Sequence, residues 1–173
     1  LEFRRVLFRS KSDAVKDLLN EIKELENAGY QYEEAEASLE LLLKQRVMGQ
    51  KPKLKLLSFR VIDEKEGQNS LVVEAVVKAK INGQLVHIAA EGNGPVSALD
   101  HALQKALIPI FPIVKQVKLV DYKVRVLNSA DGTNARVRVF IESEDEEKTW
   151  GTIGVSENVV EASWKALLDC YEY

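Results

Sequence analysis

The sequence contains only one cysteine, Cys170, among its 173 residues. A single cysteine excludes an internal disulfide and a cysteine-based metal cluster, and such sparse cysteine usage is typical of proteins from reducing compartments. We therefore expect a cytoplasmic protein. The sequence also lacks any run of about 18 or more apolar residues, so we expect no membrane-spanning helix.

Stretches rich in lysine and arginine with interleaved aromatic residues are missing as well. The formal net charge is −3, and the sequence pI is near 5.6. Binding to nucleic acid or to an anionic membrane depends on concentrated positive charge, so we expect neither partner. The chain is 46% hydrophobic and 29% charged, which is ordinary for a soluble globular domain with a substantial core.

Motifs for catalysis or metal binding are scarce. His87 and His101 lie on a predicted strand and a predicted helix without an HxH, HExxH or cysteine partner, so we interpret them as surface or core residues. No G-x-S-x-G or Walker sequence occurs. The acidic run at 142–147 lacks the glycine and spacing of a calcium loop and is interpreted as a solvated turn. Three further candidates are interpreted as core or interface residues: Trp150, Trp164 and Cys170.

The first ten residues, LEFRRVLFRS, do not match the rest of the chain. They are rich in arginine, and their pattern shows no helical or strand period that continues past Ser12. They also lack the apolar core and the small-residue cleavage site of a targeting peptide. We interpret residues 1–10 as a cloning or sequence-assembly remnant, and we expect the chain to be the C-terminal part of a longer protein.

Two amphipathic helices are predicted over residues 11–50, which we interpret as a helical linker subdomain. The first runs from Ser12, a candidate N-cap, to Asn27, with Gly29 just past its end. The second runs from about Gln31 to Arg46, with acidic residues in its first turns and basic residues in its last. The apolar positions of the first helix recur at helical spacing: Val15, Leu18, Leu19, Ile22 and Leu25.

Two similar units follow and form the predicted domain over residues 51–173. The repeat units cover about 53–108 and 117–173, and each contains three apolar strands and one helix. A shift of about 60 residues superposes Lys105-Ala106-Leu107 on Lys165-Ala166-Leu167, which indicates an internal duplication. The predicted fold class is α+β, with two pseudo-symmetric strand-strand-strand-helix units packed together and preceded by a helical hairpin.

The boundaries of these elements come from apolar runs and turn residues. The first unit has a predicted Asn82-Gly83 hairpin, and the second a turn at 128–132. In the first unit we predict strands and a helix at 54–62, 71–81, 85–90 and 96–107. In the second unit we predict them at 119–127, 135–141, 150–155 and 157–171, with Ser156 as the cap of the helix.

The turn from Glu91 to Ala98 leads from a predicted strand into a predicted helix. Gly92 and Gly94 permit a tight turn and a close approach by a ligand, and Pro95 suits the first turn of a helix. Free backbone N–H groups and the helix dipole favour a carboxylate or phosphate there. An ordinary turn into a helix fits this spacing equally well.

A crevice between the two units is the predicted binding site. We expect the two glycine-containing helix starts and the strand at 119–126 to meet in it, with either Asp121 or a turn carbonyl receiving an ammonium group. Four residues are expected to enclose a small apolar side chain: Val96, Tyr122, Val126 and Ala135. This constellation predicts a free branched amino acid as the ligand.

Three segments together carry a family resemblance. EGNGPVSALDHAL, DYKVRVLNSADGTNARVRV and WGTIGVSENVVEASWKALLDCYEY resemble the C-terminal regulatory, allosteric and dimerisation domain of the α-isopropylmalate synthase and citramalate synthase family. The last segment is most similar to the citramalate synthase branch. The resemblance covers about residues 52–173, and residues 11–46 are similar to the linker between this domain and the catalytic barrel.

The resemblance implies a regulatory role. A parent enzyme of this kind condenses acetyl-CoA with pyruvate to (R)-citramalate for isoleucine biosynthesis, using a divalent metal in an N-terminal TIM barrel. That barrel is absent from this sequence, so we expect an inactive fragment with no cofactor that forms a homodimer and binds isoleucine. The implied effector site comprises Gly92, Asn93, Gly94, Pro95, Val96, Ser97, Leu119, Asp121, Tyr122, Val126, Thr133 and Ala135.

Three other readings stay open at this point. A leucine-sensing domain of 2-isopropylmalate synthase differs in the preferred amino acid. A structural dimerisation module without a ligand predicts no effect of amino acids on melting temperature. An α+β module that binds nucleotide or RNA through the glycine-rich helix start is disfavoured by the acidic balance of the chain.

Overall fold

A computed structural model describes residues 2–65, 67–68, 71–127 and 135–173, and only the backbone within residues 2–12. The chain begins with helix α1, Glu2–Asn27, followed by helix α2, Glu36–Val47. Helix α1 therefore starts before Ser12, which was predicted to cap it. No proline or glycine interrupts residues 2–27, and leucine, arginine, lysine and glutamate are all favourable in helices.

Helix α2 starts five residues later than predicted. Residues 31–35 form a turn in which the N–H of Ala35 donates to the carbonyl oxygen of Tyr32, at 3.0 Å. Ala35 is fully buried against Phe140 and Ile153. Tertiary packing of this segment therefore overrides the helical pattern of its sequence.

The first unit is a three-stranded antiparallel sheet, called sheet A, and one helix. Its strands are β1, Leu54–Glu64; β2, Val72–Ile81; and β3, Gln84–Gly92, in that order. Strands β2 and β3 are joined by Asn82 and Gly83, whose φ values are 49° and 81°. Positive φ at both central residues is what a tight hairpin requires, so the predicted Asn-Gly hairpin is confirmed. Helix α3, Pro95–Leu107, packs mainly on β3 and β2.

The second unit repeats this plan. Sheet B contains β4, Lys118–Val126; β5, Val137–Glu144; and β6, Thr149–Ser156, again antiparallel and in chain order. Helix α4, Val159–Glu172, packs on β6 and β5. A short 3₁₀ helix at Pro112–Gln116 connects the units. The predicted α+β fold with two strand-strand-strand-helix units is confirmed. Strand β5 extends into the predicted acidic loop, and the predicted turn at 128–132 lies outside the described residues.

The two units are related by an offset of 64 residues rather than 60. Leu54 and Lys118 begin the first strands, Pro95 and Val159 begin the helices, and each pair is 64 positions apart. The sequence-derived offset differs from this by four residues, which is about one helical turn. A shift of one turn returns an apolar helix face nearly to itself, so the sequence match between the helices is ambiguous by that amount.

The main core combines residues from both units, including the apolar faces of α3 and α4. The hydroxyl of Tyr171, near the end of α4, donates a 2.5 Å hydrogen bond to Asp100 in α3. The start of α4 lies 12 residues before Tyr171, or about 18 Å along the helix axis. Within one chain the two helix starts therefore do not meet, contrary to the expectation, because α3 contacts the C-terminal end of α4.

The connection between α1 and α2 lies on sheet B. The Ser38 hydroxyl accepts a 3.0 Å hydrogen bond from the N–H of Ile153, and the Glu36 carboxylate accepts a 3.1 Å bond from the N–H of Gly151. Gly151 has no side chain, and a Cβ there would clash with the backbone oxygen of Glu34. The edge strand β6 is thus covered by α2 and the segment just before it. None of the described helices is long and apolar enough to cross a membrane.

Candidate functional site

The predicted turn lies at the end of β3 and the start of α3. Gly94 is the N-cap of α3 in an extended conformation, with Pro95 in the first turn. A Cβ on Gly92 would clash with the backbone of Ser97 and Ala98, whereas a Cβ on Gly94 would meet nothing within 4 Å. Gly92 is therefore required by close packing of the strand against the helix. Gly94 opens onto free space.

The start of α3 has no side-chain cap and no acidic residue in its first turn. The corresponding start of α4 has a side-chain cap, because Asn158 accepts hydrogen bonds from the N–H groups of Val160 and Glu161 at 2.8 and 3.2 Å. The N-cap is Asn158, two residues later than the predicted Ser156. Ser156 instead donates a 2.6 Å bond to Glu161, which lowers the pKa of that carboxyl.

The two helix starts therefore differ in their capacity for an anion. At α4 the first N–H groups are satisfied by Asn158, and a carboxylate already lies in the first turn. At α3 the N–H groups of Val96 and Ser97 donate to no described side chain. Unsatisfied N–H groups at a helix start attract a carboxylate. Of the two helix starts, the one at Gly94 therefore has more free N–H groups to offer an anion.

The predicted strand residues lie on β4, an edge of sheet B. Tyr122 and Val124 pair across the strands with Ile141 and Val139, which are completely buried in the core. Paired residues share a face of the sheet, so β4 directs apolar side chains towards the helix layer. Helix α4 packs on β5 and β6 instead. Tyr122, Val124 and Val126 consequently remain 39%, 46% and 57% exposed.

The polar groups of β4 are partly occupied. The Asp121 carboxylate lies 2.9 Å from Lys123 Nζ and also accepts the N–H of Tyr122, and Lys123 holds the pKa of this carboxyl below its usual range. The Tyr122 hydroxyl donates to Ser163 at 2.9 Å, since Ser163 itself donates to a backbone carbonyl. Leu119 packs partly buried against the main core.

The predicted site residues form two groups in one chain. Residues 92–97 surround the start of α3 in the first unit, and Leu119, Asp121, Tyr122 and Val126 follow β4 in the second. Ala135 is 5% exposed beside β5, and Thr133 lies outside the described residues. No hydrogen bond or ion pair between described residues connects the two groups. A single chain leaves the second group open on its apolar face.

Cavities lined by described residues surround the linker and sheet B. Two of them have volumes of about 390 and 620 Å³ and lie beside residues 25–34, on the outer face of sheet B and at the start of α4. Arg138 borders the first and donates 2.6 Å hydrogen bonds to Gly29 and Gln31. The sequence did not mark Arg138 as a site residue. It alternates with apolar residues along β5, as polar residues do in any half-buried strand.

The remaining candidates for chemistry have structural surroundings. Cys170 is buried, shares a 3.0 Å hydrogen bond with Ser143, and burial raises the pKa of its thiol to about 12. Trp150 and Trp164 are buried, as predicted. His101 Nδ1 contacts the backbone oxygen of Glu91 at 2.8 Å. Among the described residues, no three His, Cys, Asp or Glu side chains are grouped so as to hold a metal ion.

Comparison with known proteins adds to this geometry. Residues 33–173 match the LeuA allosteric (dimerisation) domain. The chain is 52% identical over 165 residues to the (R)-citramalate synthase of Geobacter sulfurreducens, covering 95% of this chain and 31% of that protein. It is 50% identical over 164 residues to the (R)-citramalate synthase of Aquifex aeolicus, covering 94% and 31%.

A 2-isopropylmalate synthase of Aquifex aeolicus is more distant. It is 34% identical over 116 residues, covering 67% of this chain and 20% of that protein. The chain therefore spans less than a third of the length of these curated relatives. Because the family match covers most of the sequence, including both units and α2, the chain belongs to the family of LeuA allosteric (dimerisation) domains.

Proposed function

We propose that this chain is the feedback-regulatory domain of an (R)-citramalate synthase, that it forms a homodimer, and that it binds isoleucine. The parent enzyme would be a cytoplasmic acyltransferase that joins acetyl-CoA to pyruvate with a divalent metal in an N-terminal barrel. The observation that carries the proposal is 50–52% identity to two citramalate synthases over nearly the whole chain. The chain matches only 31% of each of these relatives, and the proposed catalytic barrel belongs to the part that it does not match. The fragment alone would therefore be inactive.

The asymmetry of the helix starts supports a carboxylate site at α3. In the proposal, the isoleucine carboxylate accepts hydrogen bonds from the N–H groups of Val96 and Ser97. Gly94 lacks a Cβ, which leaves room for the approach of the ligand. The helix dipole adds a favourable interaction of about 0.3–1 kcal/mol with a negative group at this position.

The open face of β4 supports a homodimer. Tyr122, Val124 and Val126 form an apolar strip on an edge strand, which α4 contacts through the hydrogen bond between Ser163 and the Tyr122 hydroxyl and otherwise leaves open. An isologous contact would cover this strip in both subunits. It would also supply the missing wall of a pocket for an apolar side chain, so the two groups of site residues would meet across subunits.

Regulation would then follow from coupling between the pocket and the linker. Residues 30–38 are fastened to β6 and to Phe140, so a change in the arrangement of the two subunits would move α2 and the barrel attached to it. Allosteric coupling of this kind is typically about 1–3 kcal/mol.

The test is calorimetric titration of the 173-residue chain with isoleucine, leucine and valine in one buffer. Tighter binding of isoleucine supports the citramalate synthase assignment. Preference for leucine would favour the 2-isopropylmalate synthase alternative, to which the chain is 34% identical. No binding of any of the three, together with a dimer in solution, would indicate a structural dimerisation module.

A further inference from the structure

A second cleft, separate from the start of α3, lies on the outer face of sheet B. It has a volume of about 390 Å³ and separates the connection between α1 and α2 from strands β4 and β5. This size lies within the range of small-molecule sites. Its apolar side consists of the edges of Phe140 and Ile153, which are 8% and 2% exposed, and Lys123 Nζ lies 5.2 Å from the centroid of the Phe140 ring. Gln31 and Glu34 belong to the opposite wall.

Two arginines face each other in this cleft. Arg125 and Arg138 are cross-strand partners in β4 and β5, and both line the cavity. Directly opposed side chains have Cβ atoms about 4.5–5.5 Å apart, and like charges at this spacing are unfavourable. Burial and the positive charge of Arg125 both lower the pKa of Arg138. The lining therefore carries three cationic side chains, Lys123, Arg125 and Arg138, against one carboxylate, Glu34, and its net charge is positive.

Neither guanidinium is neutralised within the described part of the chain. Arg138 donates from Nε and one terminal nitrogen to neutral acceptors, the Gly29 carbonyl and the Gln31 side chain, each at 2.6 Å. Arg125 has no hydrogen bond or ion pair with a described residue. Lys123, by contrast, is paired with Asp121 at 2.9 Å. The two arginines thus provide N–H donors without an acidic partner in the lining of the cleft.

The connection between α1 and α2 fixes the orientation of the Arg138 guanidinium. Gly29 has a φ of 110°, in the region that favours glycine, and its carbonyl holds the Nε of Arg138. The second terminal nitrogen of Arg138 makes no hydrogen bond with a described residue. Guanidinium groups present planar, fixed donors that match a carboxylate better than an ammonium does.

We propose that this cleft, the Arg125–Arg138 cleft, binds a small organic carboxylate with an apolar body. The carboxylate lies between the two guanidinium groups, and the apolar body lies against Phe140 and Ile153. Such a ligand joins the linker to sheet B, since the cleft has one wall on each. The site is independent of the proposed isoleucine site.

The test uses 3-methylbutanoate as the probe, with its neutral amide and inorganic phosphate as comparisons, and the complete 173-residue chain. We expect 3-methylbutanoate to bind in the millimolar range and to shift the Nε–Hε resonances of both arginines in NMR spectra. The amide should bind at least about tenfold more weakly, because it lacks the charge. Equal binding of the amide would contradict the role of the arginines, and equal binding of phosphate would contradict the role of the apolar surface.

Arg125→Gln is the decisive variant, because Arg125 is exposed and contributes no described contact to the linker. We expect it to weaken 3-methylbutanoate binding at least about tenfold without lowering the melting temperature, because the substitution also relieves the like-charge contact with Arg138. Lys80→Gln is the matched control, since Lys80 and Lys55 form a like-charge cross-strand pair on sheet A. Unchanged binding by Arg125→Gln would overturn the proposal.

A titration with 3-methylbutanoate in the presence of saturating isoleucine distinguishes this cleft from the proposed effector site. Arginine shifts caused by 3-methylbutanoate should persist when isoleucine is present. If isoleucine abolishes them, the two ligands share one site and the proposal of a separate cleft is wrong. If the chain fails to bind isoleucine at all, the carboxylate titration still tests the cleft by itself.

Discussion

The hydroxyl of Ser38 accepts a 3.0 Å hydrogen bond from the backbone N–H of Ile153, and the same hydroxyl lowers the pKa of the nearby Asp169 carboxyl. One side chain of α2 therefore contacts both the edge strand β6 and helix α4. Ser38 is 5% exposed, so water does not replace these bonds easily. This contact fastens the linker to the second unit.

Ser38→Ala should destabilise the protein. The substitution leaves the buried N–H of Ile153 without its partner, which costs about 1–3 kcal/mol. Urea denaturation followed by far-UV circular dichroism measures the change in the free energy of unfolding. Ser58→Ala, on the exposed face of β1, is the matched control and should change it by less than about 0.5 kcal/mol. Equal effects of the two substitutions would show that the Ser38 contact is unimportant.

The linker contact should also depend on pH. Burial raises the pKa of Asp169 from 3.8 to about 6, with a further contribution from Glu172. The folded state binds this proton more tightly than the unfolded state, so the stability contributed by protonated Asp169 is present below about pH 4. It is lost as the pH rises through about 6.

Asp169→Asn tests this dependence. Asparagine keeps an oxygen acceptor for Ser38 and removes the buried charge, so we expect it to raise the free energy of unfolding by about 1–2 kcal/mol near neutral pH. The variant should also lose the decrease between about pH 4 and 6. Asp17→Asn, at an exposed position of α1, is the control. A parallel pH profile for wild type and Asp169→Asn would contradict this account.

Substitution by alanine should destabilise the protein at Gly92 and Gly151, where the backbone packs closely against other backbone, but not at Gly94. Gly151→Ala and Gly92→Ala both place a Cβ against backbone atoms, and we expect each to lower the melting temperature by several degrees or more. Gly94→Ala places its Cβ in open space in an extended conformation and should leave the melting temperature nearly unchanged. Differential scanning calorimetry of the three variants makes the comparison. A large loss in Gly94→Ala would show that this glycine is structural.

The proposed dimer surface predicts the effect of a charge on β4. Val126 is 57% exposed, so Val126→Glu should preserve the fold while opposing burial of the strip in a dimer. We expect the dissociation constant of the dimer to increase at least about tenfold in analytical ultracentrifugation. Leu85→Glu, at a 55% exposed position on β3, is the matched control. An unchanged dimer in Val126→Glu would place the interface elsewhere.

Much of the fold could be predicted because its signals are local. Asn82-Gly83 specifies its hairpin through positive φ, and the apolar runs on either side specify β2 and β3. The start of α2 could not be predicted in this way, since Ala35 leaves the helical pattern in order to pack on sheet B. The offset between the units was ambiguous by four residues because α-helical faces repeat at each turn.

The candidate site was predictable only in part. The open start of α3 follows from Gly94-Pro95, but its contrast with α4 depends on the Asn158 cap. The exposure of Tyr122 and Val126 depends on α4 covering β5 and β6 rather than β4, which no local pattern encodes. Ala135 is buried, so an enlarging substitution there disturbs the core as well as any pocket. Gly94 is therefore the better position for a site variant.

The most direct test of the proposed regulatory role is calorimetric titration of wild type and Gly94→Val with isoleucine and leucine. We predict that wild type binds isoleucine more tightly than leucine. Gly94→Val should bind isoleucine at least about tenfold more weakly while remaining folded, because its side chain occupies the approach to the Val96 and Ser97 N–H groups. Preference for leucine in wild type, or unchanged isoleucine affinity in folded Gly94→Val, would contradict the account.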